Sequence, residues 1–539
     1  MKLQGKKGRD YYAIAGIFTY VCSLIFRVPL IYMIGEKGLG YFSVANELYV
    51  VIGCLFSYGL SEAVAILVRY RMKREMYKSA DRVMKGALIL ALILGGILSV
   101  VFFFGAHGFI ERMVQVPLSG LALSLMAPAI VFHVLTGVYK GYFQGNGSRV
   151  PAIHSQILET VFMLAGGLIG AGILHGYGKK VSALLQNEDY AAAYGAMGAV
   201  IGILSSAVFC FFHMLLLYFL FRSRSRRQTG ARELQKNQDS GFHIIHMLLG
   251  TAIPYGIYML LFRVLPLVDG CLFVRFGAEA DNLVTWGNYY GKYMVIIGMI
   301  SAMLMLPCFG QTKRVTSFID RDDQDMAREK LAVLIHQTVL YTVAAAIFTA
   351  VLAENLLNLL FKGNNSKTAE FIMWGSVLLI LSVFATLFMT MMIRLRKMLL
   401  ALGILTAALV LHIITILFLL QMTKLGILSL IAANIVFYLV VMAGGFFFII
   451  RTCSYRQEWL KAIAFTVVAA AVAGLIIMGL NKVLSPFTGS TISLVVCLLL
   501  GTLIYLILLI LVRAVNRDEL QEMTGGIFMM KIGEFIHFM

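Results

Sequence analysis

The chain has 539 residues, 60% of them hydrophobic and 13% charged, with a formal net charge of +18 and a mean hydropathy of +0.86. That composition excludes a soluble globular protein, and apolar stretches of about 20 residues predict an all-α polytopic membrane protein. A transmembrane β-barrel would show short alternating segments instead.

Fourteen helices are predicted, at about 12–34, 41–68, 84–106, 120–140, 152–174, 192–221, 244–270, 284–308, 331–353, 371–393, 399–420, 426–449, 459–480 and 491–512. The basic start, Met1 to Arg9, is read as a cytoplasmic flank and not as a cleavable signal, because the apolar segment after it is long and lacks a small-residue cleavage site. Lys and Arg in the termini and in every second loop number 33, against 8 in the opposite loops. With loops this short, the asymmetry places both termini in the cytoplasm. It also accounts for the net charge without nucleic acid.

Four cations remain outside that pattern: Arg27, Arg263, Arg275 and Lys292. Arg27 stands in Phe26-Arg27-Val28-Pro29-Leu30, and Arg263 in Phe262-Arg263-Val264-Leu265-Pro266-Leu267. A guanidinium within hydrocarbon costs roughly 2.5–3.5 kcal/mol on insertion scales. Carrying that cost twice in one local setting points to a bound anion, since the planar fork of arginine pairs bidentately with phosphate and stays charged. Each cation also admits a structural reading, by snorkelling to the interface or pairing with a carboxylate. The offset between the two arginines superimposes the first predicted helix on the seventh. It suggests an N-terminal six-helix half at 1–221, a basic linker at 222–243, a C-terminal half at 244–450, and helices 13–14 with a tail at 451–539. Repeats with a site at their interface are the usual construction of secondary transporters.

Glu47 and Glu62 fall in the second helix, Glu159 in the fifth, and Asp269 near the outer end of the seventh. An acid there could neutralise an arginine in an empty cavity, hold a coupling Na+ or H+, or make a structural ion pair. Arg263, Asp269 and Arg275 are spaced by six residues, about 240° apart on a helix, so they share no single face unless Pro266 and Gly270 break it. Pro29, Pro128, Pro254 and Pro307 also lie inside helices, where broken segments are tolerated against protein or a water-filled cavity.

Enzymatic readings find little support. His243-x-x-His246 reads as a helix start, Gly145-Asn146-Gly147 as a turn, and the acidic run Asp320–Asp325 as solvated surface. There is no GxxxxGK[ST] phosphate loop. The seven scattered cysteines form no CxxC pair and read as small core residues.

Several stretches resemble a known family. Arg27-Val28-Pro29-Leu30 through Ile34-Gly35-Glu36-Lys37-Gly38-Leu39-Gly40-Tyr41, with Ala45 and Tyr49, is one. Tyr139-Lys140-Gly141-Tyr142-Phe143-Gln144-Gly145, then Pro151-Ala152, Ser155-Gln156 and Glu159, is the most specific. Pro254 with Pro266-Leu267 and Asp269, and Met305-Leu306-Pro307, follow in order. Together they resemble the polysaccharide-transport branch of the multidrug/oligosaccharidyl-lipid/polysaccharide (MOP) flippase superfamily, in particular the stage V sporulation protein B group and the lipid-linked peptidoglycan precursor flippases. The resemblance implies a non-enzymatic flippase of the cytoplasmic membrane. It would carry an undecaprenyl-pyrophosphate type saccharide outward by alternating access, as a monomer among membrane lipids, with cell-wall polymerases as partners.

By that resemblance Arg27 and Arg263 hold pyrophosphate, Arg275 and Lys292 assist, Asp269 balances charge, and Gln144 and Glu159 gate the cavity or contact sugar. Asp269, Glu62 and Glu47 are the candidates for cation coupling, and no other cofactor is implied. Two departures stand out: Val50-Val51-Ile52-Gly53-Cys54 lacks the arginine of the peptidoglycan-precursor flippases, and Thr160-Val161-Phe162-Met163 is apolar where a Gln and an Arg are expected. The alternatives are a cation-coupled multidrug exporter of the same superfamily, whose site should favour acids and aromatics, and a non-transporting scaffold in cell-wall or sporulation assembly.

Overall fold

A computed structural model describes residues 4–113, 115–229, 240–363, 365–455 and 459–535. Regular structure among them is helical, with no strand. In chain order the helices are α1 (Gln4–Ile52), α2 (Gly59–Lys73), α3 (Tyr77–Met113), α4 (Ser119–Gly145), α5 (Val150–Leu185), α6 (Asp189–Thr229), α7 (Gly241–Arg263), α8 (Leu265–Phe276), α9 (Asn282–Asn288), α10 (Met294–Ile319), α11 (Gln324–Val351), α12 (Ala353–Leu360), α13 (Ser366–Gly375), α14 (Val377–Arg394), α15 (Met398–Met422), α16 (Leu428–Cys453), α17 (Phe465–Leu511), α18 (Arg517–Glu522) and α19 (Gly526–Phe535). Single π turns at Gly53–Tyr58, Tyr289–Tyr293 and Trp459–Ala464 join neighbouring helices.

Among the described residues, twelve helical stretches are long and apolar enough to cross a membrane, so the protein is an all-α multi-pass membrane protein. Two of the twelve, Ala15–Lys73 with 59 residues and Ala462–Leu511 with 50, far exceed the length of one crossing. Each contains one residue off helical geometry, Gly35 at φ +74° and Gly489 at φ +76°. Only glycine adopts that backbone cheaply, so these are the places where the chain can turn. The break at Gly35 falls between the first and second predicted helices, and that at Gly489 between the thirteenth and fourteenth.

Packing divides the chain into two compact units, 1–291 with 420–427, and 292–419 with 428–539. The division comes at Gly291, whereas the sequence repeat put its boundary at 221–244. A packing unit and a sequence repeat are different groupings, and the repeat remains an expectation. The predicted linker begins inside α6, which continues to Thr229, and its centre, 230–239, lies outside the described residues.

In the first unit, α5 pairs with α6 and α3 with α4 along much of their lengths, while α2 packs on α4 and α7. Lipid supplies little hydrophobic drive between helices, so close approach has to come from small residues. Gly137, Gly141 and Gly145 recur every four residues on α4, facing Ser57, Ser61 and Val68. Meanwhile Ile89, Leu92, Ile93, Ile97, Val100 and Phe104 on α3 are exposed, as befits a helix face turned to hydrocarbon.

In the second unit, α10 packs on α11 and α14, α14 on α16, and α11 on α17. The segment after α17, expected as a plain tail, folds onto this unit. Leu520 is fully buried. Lys330 Nζ lies 2.5 Å from Glu522 Oε1 and 2.7 Å from Glu329 Oε1, and His336 Nδ1 lies 3.3 Å from Glu519 Oε2. Gln311 Nε2 donates to the Glu522 carbonyl at 2.9 Å, and the Tyr341 hydroxyl donates to the Thr524 carbonyl.

Candidate functional site

The local chain around Arg27 explains why a guanidinium sits inside a span. Arg27 is half-buried on α1, and Nη1 donates to the Tyr290 carbonyl at 2.6 Å. Its Cζ stands 4.0 Å from the centroid of the Tyr290 ring, a cation–π distance that offsets part of the desolvation. Tyr290 lies in the π turn that precedes α10. Where i→i+5 bonding interrupts the α ladder a backbone group can leave it, and such turns recur at functional sites.

The other end of Tyr290 carries the network on. Its hydroxyl donates to Glu47 Oε1 at 2.6 Å. Asn46 Nδ2 donates to the same hydroxyl oxygen at 2.8 Å and to Glu47 Oε1 at 3.1 Å. Glu47, Asn46 and Tyr290 are buried at 8%, 8% and 1% exposure, so a carboxylate shut away from water is satisfied by two donors. One helical turn earlier, Trp286 Nε1 donates to Ser43 Oγ at 2.8 Å. The structure thus brings two of the predicted residues, Arg27 and Glu47, onto one tyrosine.

Arg263 is exposed and closes α7, where a cation meets the negative end of the helix dipole. Pro266 follows within three residues, in the first turn of α8, where its missing N–H costs no ladder bond. The predicted helix at 244–270 is therefore two, and Asp269, 2% exposed, belongs to the short helix α8. Both Arg27 and Arg263 lie in the first packing unit.

Arg275 is exposed and donates through Nη1 to the Arg112 carbonyl at 3.2 Å, in the last turn of α3. Lys292, 6% exposed, donates to Asn365 Oδ1 at 3.4 Å. Asn365 in turn donates to the Phe361 carbonyl at 2.8 Å. Both cations therefore meet acceptors from distant parts of the chain.

Glu159 on α5 pairs with a residue that sequence reading counted as loop charge. Lys140 Nζ lies 3.3 Å from Glu159 Oε2, and His133 Nδ1 lies 3.8 Å from Oε1. α4 runs on to Gly145, so Lys140 stands inside a span. The Tyr49 ring packs 4.9 Å from His133. Gln144 has its carbonyl oxygen 3.3 Å from Arg69 Nη2, and Glu62 lies within electrostatic reach of Arg149 and Arg69. The turn at 145–147 is as predicted: Gly147 takes φ +87° after the α4 cap. His243 lies in the first turn of α7, its N–H donating to the Ser240 cap Oγ at 3.2 Å. Sequence reading missed Tyr290, Asn46, Lys140 and His133. Lys140 could have been found by its spacing from Glu159 in the most specific resembling stretch; nothing in the sequence sets Tyr290 apart from the other tyrosines.

Comparison with known proteins adds an independent line. Residues 6–234 match the family described as polysaccharide biosynthesis protein. Stage V sporulation protein B of Bacillus subtilis (strain 168) is 27% identical over 209 residues, which are 38% of this chain and 38% of that protein. The match thus spans well under half the length of that relative. Among solved structures, the lipid II flippase MurJ in an inward closed conformation aligns with TM-score 0.64 at 16% identity, over 92% of this chain and 97% of that one. An inward-facing MATE-family multidrug transporter of the MOP superfamily aligns with TM-score 0.60 at 16% identity, over 83% of this chain and 96% of that one. The chain thus matches a polysaccharide-biosynthesis family across its N-terminal helices and shares its fold with MurJ and the MATE transporters.

Proposed function

We propose that the protein is a membrane transporter that moves a lipid-linked saccharide of the undecaprenyl-pyrophosphate type from the inner to the outer leaflet by alternating access. The observation that carries this reading is Arg27, a half-buried guanidinium within a membrane span. A diphosphate cannot enter hydrocarbon unaided, whereas a polyprenyl tail need never leave it. A cation inside the span lowers the barrier for the head group alone, and a guanidinium does so with directed N–H donors. Arg263, at the break between α7 and α8, is the second cation assigned to the head group. Two negative charges moved outward across an inside-negative membrane release roughly 4–5 kcal/mol per 100 mV, so the membrane potential can drive the cycle.

The stage V sporulation protein B match and the MurJ-like fold support this substrate class and link it to peptidoglycan or surface-polysaccharide assembly. The test is flipping in proteoliposomes of a fluorescent undecaprenyl-diphosphate disaccharide, read by protection from a membrane-impermeant quencher. Arg27→Ala should lower the rate at least tenfold, about 1.4 kcal/mol of lost head-group stabilisation, and Arg27→Lys should restore part of it. Wild-type flipping by a folded Arg27→Ala protein refutes the reading.

A further inference from the structure

The Arg27 network holds more than an anion site needs. Resting on the function proposed above, we infer that Tyr290 and Glu47 form a built-in latch: they occupy and partly neutralise Arg27 until an incoming diphosphate displaces the Tyr290 carbonyl. Three contacts carry the inference. The Tyr290 carbonyl accepts from Arg27 Nη1 at 2.6 Å, where a phosphate oxygen would otherwise sit. The Tyr290 ring lies 4.0 Å from the guanidinium, so the cation is held on two sides by one residue. The Tyr290 hydroxyl donates to the Glu47 carboxylate at 2.6 Å, which links a buried negative charge to the same ring.

A structural ion pair would place Glu47 directly on Arg27. Here the carboxylate acts at one remove, through a residue that grips the guanidinium with a carbonyl and a π face. A carbonyl carries no net charge, so a diphosphate can outcompete it; a direct carboxylate would bind Arg27 far more tightly. Asn46 fixes the far end, donating to Glu47 Oε1 and to the Tyr290 hydroxyl oxygen. Glu47 and Tyr290 are thus positioning residues. They set how readily the site loads and empties, which a transporter requires: an anion bound too tightly would never be released.

The test measures equilibrium binding to the full-length protein in nanodiscs, with geranyl diphosphate as the lipid-linked probe and inorganic pyrophosphate as the free one. Glu47→Gln keeps an acceptor for Tyr290 and Asn46 but removes the opposing charge. It should tighten geranyl diphosphate binding roughly three- to tenfold. Glu47→Asp retains the charge and should bind as wild type does. If Glu47→Gln does not fold, Glu47→Ala removes the same charge with the Tyr290 ring and carbonyl left in place, and should also tighten binding. Unchanged or weaker binding in whichever of these is folded, with Arg27→Ala still losing the probe, overturns the latch and leaves the anion site standing. Equal shifts in Glu47→Gln and Glu47→Asp overturn it too, since packing would then be the cause. Wild-type binding by Arg27→Ala overturns the site and the latch together. Loss in Arg27→Ala of geranyl diphosphate binding but not of pyrophosphate binding assigns the latch to a lipid-linked head group; parallel loss assigns it to free diphosphate as well.

Discussion

Substituting Gly141 with alanine tests how the helices of the first unit are held together. A Cβ at Gly141 would stand 2.9 Å from Ser61 Cα and closer still to the Ser61 carbonyl. Carbon atoms settle at about 3.5–4.0 Å, so α4 and α2 would have to part by about 0.6–1.1 Å. The obstacle is backbone, which has no rotamer to change. Overpacking of this kind costs about 1–3 kcal/mol. Against it stands the helix-propensity gain of alanine over glycine, about 0.5–1 kcal/mol, leaving a net loss of about 1 kcal/mol from the middle of the two ranges. Gly96 on α3 supplies the control: nothing lies within 4 Å of a Cβ built there, so only the propensity gain applies. Thermal unfolding of purified protein in one detergent should therefore rank Gly96→Ala at or above wild type and Gly141→Ala below it. Equal melting of Gly141→Ala and wild type would refute the claim that close backbone approach, and not side-chain burial, sets the α2–α4 contact.

Removing either member of the Lys140–Glu159 pair strands a charge in a span. Because the side chains are 21% and 28% exposed, the loss should fall near 1–2 kcal/mol, below the 3–5 of a fully buried pair. The double variant Lys140→Met/Glu159→Gln should melt above either single one, and simple additivity would show that the two do not interact. Leu520→Ala should cost about 2–4 kcal/mol, as for any fully buried leucine. It should also make the chain after α17 the first site of cleavage in limited proteolysis, and unchanged cleavage would mean that α18 is not anchored by its apolar face.

How much of this was legible in the sequence depends on the range of the physics involved. Spans follow from local apolar runs, so helical class and membrane insertion were readable throughout. Gly35 and Gly489 were unremarkable letters, yet their positive φ locates the turns between predicted helices. Pro266 was recognised as a possible break, and α7 does end at Arg263, whereas Pro254 stands inside the unbroken α7. Arg27 was visible because a guanidinium amid Phe26, Val28 and Pro29 carries an energetic cost that composition exposes.

Its partner was invisible. Tyr290 is 263 positions away, and only folding brings its carbonyl and ring to Arg27 and its hydroxyl to Glu47. The same holds for Lys140, the last residue of the fourth predicted helix, which was counted with the charges of the loop that follows. Its salt bridge to Glu159 depends on where α4 and α5 meet. The segment after α17 was expected only as a tail, although Glu519 and Glu522 meet His336 and Lys330 of α11 almost two hundred positions earlier. By itself the sequence determined where the chain is helical, which stretches prefer lipid and which charges are out of place there, because those preferences act over a turn or two of helix. The tertiary structure alone decided how each misplaced charge is satisfied, because a buried ion finds its partner by proximity in space, and the tyrosine that holds Arg27 comes from the far end of the first packing unit.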